Sequence, residues 1–316
     1  MLAPVQERAG FLRYIEIDAR DASKHPDAFA QIRAGTLHAV VVHNVYDAGT
    51  MAAVVDRLER HEPPLLRTWF PEKFHAWFYG QNLNMAHPAL TNYFEQAEQF
   101  NAQINELFPA GQGLAARVGG ILADLDDGRP FVAAPGPRPN QQYMFTTIRA
   151  HLDEGFLPPH FDNEQALRPT YQHLHSIAEL HMTSYVLTFS AAEIGGTLDV
   201  YNIMCDPESA MPISHDDTRP PDISELEPAS FAIPAGSMIV LDSGRYLHSV
   251  SPVGGTRKRW TACSFMSLSR GKGTLGQLLN NPESARQLEA SLKNLNTITA
   301  KINAGQGNLF RRKIRS

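Results

Sequence analysis

Three residues in the second half of the chain have the types and spacing to hold a metal ion. In Pro158-Pro159-His160-Phe161-Asp162 an imidazole and a carboxylate stand two residues apart, so an extended strand projects both from one face. His248 offers a third ligand, close after the apolar run Ser237 to Leu241. Two imidazoles and one carboxylate leave three positions of an octahedral iron open, the arrangement of non-haem oxygenases. A His-x-Asp pair alone says little, because such pairs arise by chance on many surfaces. The segment after His248 adds weight. A Gly254-Gly255-Thr256 turn leads into Arg257-Lys258-Arg259-Trp260-Thr261-Ala262-Cys263, where alternation puts Arg257, Arg259, Thr261 and Cys263 on one face. Guanidinium forks pair bidentately with carboxylates, and a buried cation without a partner is costly, so these arginines point to an anionic ligand. The plainer alternative is a surface Arg paired with an acidic neighbour.

The elements that must position these groups read as strands. Residues 141 to 269 carry the runs QQYMFTTIRAH, MTSYVLTFS, GTLDVYNI, SFAIPA, SMIVLDS and RKRWTACSFMS, separated by Gly, Pro and Asp clusters. Short strands at this spacing predict a barrel or sandwich. In the first run, alternation places Tyr143, Phe145, Thr147 and Arg149 on one face, as candidate substrate contacts. Two long loops, Gln165 to Leu180 and Cys205 to Pro228, have the length of binding lids. His173, His175 and His181, in and just beyond the first, read as loop or core histidines.

Ahead of this region the valine-rich run Leu37 to His43, then Asp47 and a helical stretch to Arg60, read as strand, N-cap and helix. Asn92 to Leu107 and Gly113 to Leu125 show helical spacing of Phe94, Ala97, Phe100 and Ile104 and their counterparts. The Gly- and Pro-rich Asp126 to Asn140 is a connector. Pro282 to Ile302 has the spacing of an amphipathic helix, followed by a basic tail at Arg311 to Arg315. The expected organisation is an N-terminal strand and helix region over 1–128, a catalytic core over 129–270 and a helical extension over 271–316.

Composition narrows the partner. A formal net charge of −5 over 316 residues gives no global attraction to nucleic acid or an anionic membrane, which favours a small molecule. No run approaches the ~18 apolar residues of a membrane span, and acidic residues occupy the start where a signal peptide needs an apolar segment. The expectation is a soluble, cytoplasmic protein, with a homodimer left open. Cys205 and Cys263 are too few and too far apart for a disulfide framework or a Cys-x-x-Cys unit.

The runs GFLPPHFDNE, SYVLTFSAAEIGGTLDVYN and IPAGSMIVLDSGRYLHSVSPVGGTRKRWTACSFM resemble, in order, the core of iron(II)- and 2-oxoglutarate-dependent oxygenases. The likeness covers residues 141 to 269 and is closest to a bacterial group of N-substituted amino-acid hydroxylases and freestanding aliphatic halogenases. It implies an α+β fold with a double-stranded β-helix, cupin-like core, and iron(II) held by His160, Asp162 and His248. It also implies 2-oxoglutarate as cosubstrate with dioxygen, its remote carboxylate bound by an Arg shortly after the distal His. Arg257 and Arg259 both stand in that window; Arg259-Trp260-Thr261 fits the Arg-x-Ser/Thr pattern, while Arg257 has the commoner spacing. In the halogenases the carboxylate position is a Gly that leaves room for chloride. Here it is Asp162, which favours hydroxylation of an aliphatic C–H in an amino acid, N-acyl amino acid or related natural product.

Three other readings stay in view: a peptide- or protein-modifying hydroxylase of the same superfamily, a non-catalytic cupin-like binding module, and a zinc hydrolase. A binding module has no need of the complete triad. A hydrolase has no need of the downstream arginines.

Overall fold

Valine-rich β3 shows why the sheet has a covered face on each side. The run Ala39–His43 is buried along nearly its whole length, with Val40 and Val42 in a core shared with the helices and Ala39 and Val41 in a second core. A computed structural model describes residues 2–83, 90, 92–163, 168–205 and 222–270. The expected C-terminal helix and basic tail, and most of the second candidate lid, lie outside the described residues.

The strands before the first long connector are β1 (Gln6–Arg8), β2 (Leu12–Asp18), β3, β4 (Arg67–Trp69) and β5 (Ala76–Tyr79). After it come β6 (Thr147–His151), β7 (Leu157–His160), β8 (Thr183–Ser190), β9 (Ile194–Gly195) and β10 (Leu198–Met204). The last are β11 (Ala229–Phe231), β12 (Met238–Leu241), β13 (Tyr246–Val250), β14 (Val253–Gly254) and β15 (Arg259–Met266). Nine strands form one sheet in the order β1-β2-β3-β12-β8-β15-β6-β5-β4, and four form a second in the order β11-β10-β13-β7. Pairing is antiparallel except between β2 and β3. The region up to residue 128 therefore supplies strands to both edges of the sheet that carries β8, β12 and β15, and residues through Leu268 make one compact unit.

Helices cover the outer face of the large sheet. They are α1 (Ala28–Ala34), α2 (Ala48–Glu59), α3 (Tyr93–Glu106) and α4 (Leu114–Asp124). As the spacing predicts, Asp47 caps α2 by accepting from the Thr50 N–H at 2.8 Å, and α3 buries Phe94, Ala97, Phe100 and Ile104. Trp260 ties α2 to β15. It is fully buried, stacked on Tyr79 at 5.6 Å between ring centres, and its indole N–H donates to Glu59 Oε1 at 2.8 Å. Trp260→Ala should cost about 3–5 kcal/mol, the usual range for truncating a buried aromatic, read as a lowered denaturation midpoint.

The inner face looks toward the small sheet. Leu12, Tyr14, Val41, Ile239 and Leu241 of the large sheet share one apolar cluster with Leu198, Val200, Phe231 and Tyr246 of the small one. This cluster fills one end of the space between the sheets. The pairing register carries the same face onward, from Ile239 to Val186, Cys263 and Thr147. At that far end the side chains turn polar.

Candidate metal centre

His160 and His248 face each other across β7 and β13, as direct register partners. On β13 alternation puts His248 with Tyr246 on the inner face, and His248 pairs across with Val200 of the apolar cluster. Strand β7 ends at His160, so Asp162 lies just past it rather than within it as the sequence suggests. Its N–H donates to the Ser243 carbonyl at 3.1 Å, and Asn163 Oδ1 accepts from the Met182 N–H at 3.0 Å. These bonds fix the carboxylate beside the two rings. Gly244 is needed there, because a Cβ would collide with the Asn163 side chain.

One ligand atom from each of His160, Asp162 and His248 lies within 4.8 Å of the others. Each ring has Nδ1 against the carbonyl two residues earlier, His160 on Pro158 at 2.8 Å and His248 on Tyr246 at 3.0 Å. A carbonyl only accepts, so Nδ1 carries the proton and Nε2 presents its lone pair inward. Both Nε2 atoms sit 3.7 Å from Asp162 oxygens, too far for a hydrogen bond and right for three donors around a common point. Burial, reinforced by the facing His248, pushes the His160 imidazole down to about 4, which keeps it an unprotonated ligand.

Asp162 is 1 % exposed, and neither carboxylate oxygen has a hydrogen-bond partner among the described residues. A buried carboxylate in that state is costly by several kcal/mol unless a cation joins it. Two imidazole lone pairs on the same point make a divalent metal the fitting cation. Tyr171, fully buried, backs the site; burial and then the Asp162 charge raise its phenol.

The polar end of the large sheet holds the arginines. Register pairs Arg259 with His151 and Thr261 with Arg149, all on the inner face. Arg259 is 5 % exposed, and burial, with the neighbouring Arg149, lowers its guanidinium to about 10. Arg149 lies against Phe70 and Phe78, its Cζ 5.4 Å from each ring centre. Among the described residues no carboxylate stands within ion-pair distance of either arginine. Arg257 behaves differently. It is exposed, and its Nε and Nη2 donate to the carbonyls of Ala191 and Ala192 at 2.9 and 3.4 Å. Because β15 begins only at Arg259, the expected alternation does not reach Arg257.

The four candidate substrate contacts also divide. Thr147 and Arg149 occupy the inner face, but β6 starts only at Thr147. Ahead of it the chain is irregular, and Tyr143 and Phe145 pack into the core shared with the helices. Tyr143 reaches His173 in α5 (Gln172–Ile177), at 3.2 Å from its Nδ1. His181 instead lies 3.0 Å from the buried Asp242, which also stands 2.8 Å from Arg245 Nε.

The Gly-Gly step at 195–196 serves Arg259. Gly196 has φ +66°, and a Cβ there would meet Arg259 Cδ at 2.8 Å. Gly196→Ala should destabilise by about 1–2 kcal/mol through the left-handed backbone, and it should weaken any anion held by Arg259. Comparing the denaturation midpoint with ligand affinity separates the two effects.

These are two facing sheets with a two-His, one-carboxylate cluster and, on the inner face of the large sheet, two guanidinium groups with no carboxylate partner among the described residues. The chain belongs to the carrier-protein-independent halogenase WelO5 family, whose model matches residues 11–275. No curated protein matches it. Among solved structures it is similar to an N-substituted L-amino acid dioxygenase from Burkholderia ambifaria AMMD, at 16 % identity over 78 % of this chain and 88 % of that one, TM-score 0.50. It is also similar to a 2OG-Fe(II) oxygenase family oxidoreductase from Burkholderia pseudomallei, at 18 % identity over 80 % and 94 %, TM-score 0.41. A Pseudomonas putida prolyl-4-hydroxylase matches at 15 % identity over 77 % and 100 %, TM-score 0.38.

Proposed function

We propose that this chain is an iron(II)- and 2-oxoglutarate-dependent oxygenase that hydroxylates an aliphatic C–H of a small carboxylate-bearing substrate, an amino acid or N-acyl amino acid. The observation that carries this is Asp162, a buried carboxylate without a donor among the described residues, placed with two Nε2 lone pairs where a halogenase of this family would have Gly. With the third protein ligand present, hydroxylation is the better fit within a family known by its halogenase. The two facing sheets are read as a double-stranded β-helix.

In this reading His160, Asp162 and His248 hold iron(II), and Arg259 takes the remote carboxylate of 2-oxoglutarate. When bound, the metal and cosubstrate supply the oxidation, in which O2, 2-oxoglutarate and R–H give succinate, CO2 and R–OH. The chain's own residues orient the partners and exclude water. Charge supports a carboxylate substrate. An iron(II) dication, the Asp162 carboxylate, a dianionic cosubstrate and the Arg259 guanidinium cancel, which leaves Arg149 as an unmatched cation on the inner face.

The test is an anaerobic titration of the apoprotein with iron(II) and 2-oxoglutarate, followed by ultraviolet-visible absorption. The weak charge-transfer band of a chelated keto acid is expected, and its loss in His160→Ala. Candidate carboxylates that perturb the band identify the substrate, and Arg149→Leu should abolish that perturbation while the band itself persists. Iron binding with no band would remove the oxygenase reading.

A further inference from the structure

His151 is a histidine that the triad and the arginine clamp leave without a role. Its side chain is completely buried, 0 % exposed, and neither ring nitrogen has a hydrogen-bond partner among the described residues. A neutral imidazole always has one N–H to donate and one lone pair to offer, and leaving both unmet in the interior is costly. Native interiors rarely carry such a group without a reason.

Its neighbours say what is missing. His151 is the direct register partner of Arg259 on β15, with the small Ala76 opposite it on β5, and Arg149 stands two residues earlier on the same face. Direct partners in an antiparallel pair have Cβ atoms about 4.5–5.5 Å apart, so the ring and the guanidinium stem start side by side. Burial and the two guanidinium groups hold the imidazole well below its usual range, so it stays neutral. Neither cation can accept a hydrogen bond from it. A carboxylate can, since its two oxygens offer about four lone-pair sites, of which a bidentate Arg uses only two.

We propose that His151 is a second ligand of the cosubstrate, donating one ring N–H to the remote carboxylate of 2-oxoglutarate that Arg259 holds. This rests on the oxygenase reading of the metal centre. The choice of the cosubstrate's carboxylate over the substrate's comes from depth. His151 and Arg259 are both nearly inaccessible, whereas Arg149 is half-buried and leans on Phe70 and Phe78. The inner face thus divides into a deep pair for the cosubstrate and a shallower cation for the substrate.

The experiment compares two keto acids in the anaerobic iron(II) titration: 2-oxoglutarate, and 2-oxopentanoate, which chelates identically but lacks the remote carboxylate. His151→Phe should weaken 2-oxoglutarate about tenfold or more, the scale of one hydrogen bond to a charged group, and leave 2-oxopentanoate unchanged. His151→Gln, which keeps a donor, should recover most of the loss. Equal weakening of both acids means a packing role and overturns the proposal, as does 2-oxoglutarate affinity within twofold of wild type. A loss confined to substrate affinity also overturns it, by giving His151 to the substrate.

A second measurement on the unaltered protein guards against a variant that fails to fold. With zinc in the site and histidine rings labelled with nitrogen-15, 2-oxoglutarate should shift the His151 ring N–H resonance and 2-oxopentanoate should not. No shift with either acid overturns the assignment. If the wild type binds iron but shows no band with either acid, the oxygenase reading falls first and this one with it.

Discussion

Asp162→Ala is expected to lose turnover by more than about 100-fold, beyond the 10- to 100-fold that changes around a metal's direct ligands cost. The loss should come with no loss of fold. In the apoprotein the Asp162 carboxylate is buried, without a hydrogen-bond partner among the described residues, and 3.7 Å from each imidazole Nε2, so removing it relieves a desolvation penalty rather than breaking a bond. The apo variant should therefore unfold at the same temperature as the apo wild type or higher. Metal reverses the order. A ligand at 100 times its dissociation constant stabilises the folded state by about 2.7 kcal/mol, so iron(II) should raise the midpoint of the wild type and do so far less in the variant. Calorimetry with and without iron checks both halves. A variant that is less stable without metal, or equally stabilised by it, would show that Asp162 has a structural partner instead.

The candidate metal ligands are legible in the sequence because their chemistry sits in two short segments and needs no long-range geometry to be recognised. The strand carrying His160 and the one carrying His248 pair directly, and the polar loops around them fix the rest. Alternation misleads where it is extended beyond the strand that supports it. It groups Arg257 with Arg259, but the turn before β15 lets Arg257 swing out to the Ala191 and Ala192 carbonyls. It groups Tyr143 and Phe145 with Arg149, but the irregular residues before β6 let them follow α3 into the helical core. Strands β4 and β5 are too short, at three and four residues, to show a period. β2 breaks its alternation at Tyr14-Ile15, where both faces are buried, and its polar Arg13, Glu16 and Asp18 conceal a strand whose apolar positions are all buried. His151 is visible as the residue two after Arg149. What the sequence cannot show is that both its nitrogens are buried and unmet among the described residues, since that depends on β5 and β15 closing over it.

Arg259→Leu is expected to weaken 2-oxoglutarate by about 30-fold to several thousand-fold, since truncating one partner of a buried, hydrogen-bonded charge pair costs about 2–5 kcal/mol and each 1.4 kcal/mol is tenfold. Arg257→Leu should change it less than about twofold, because that side chain is exposed and engaged with backbone carbonyls. The contrast matters more than either value, as it separates a clamp from general positive charge at this end of the sheet. Arg259→Lys keeps the charge but loses the planar fork, so it should fall between the two. Stability gives an independent check with the opposite sign. Arg259 is held below its usual range by burial and by Arg149, so without ligand the guanidinium is a burden on the fold. The Leu variant of the apoprotein should be no less stable than the parent, while saturating 2-oxoglutarate should stabilise the parent alone. If Arg257→Leu abolishes binding and Arg259→Leu does not, the clamp lies in the turn, and the cosubstrate roles of Arg259 and of His151 beside it are wrong.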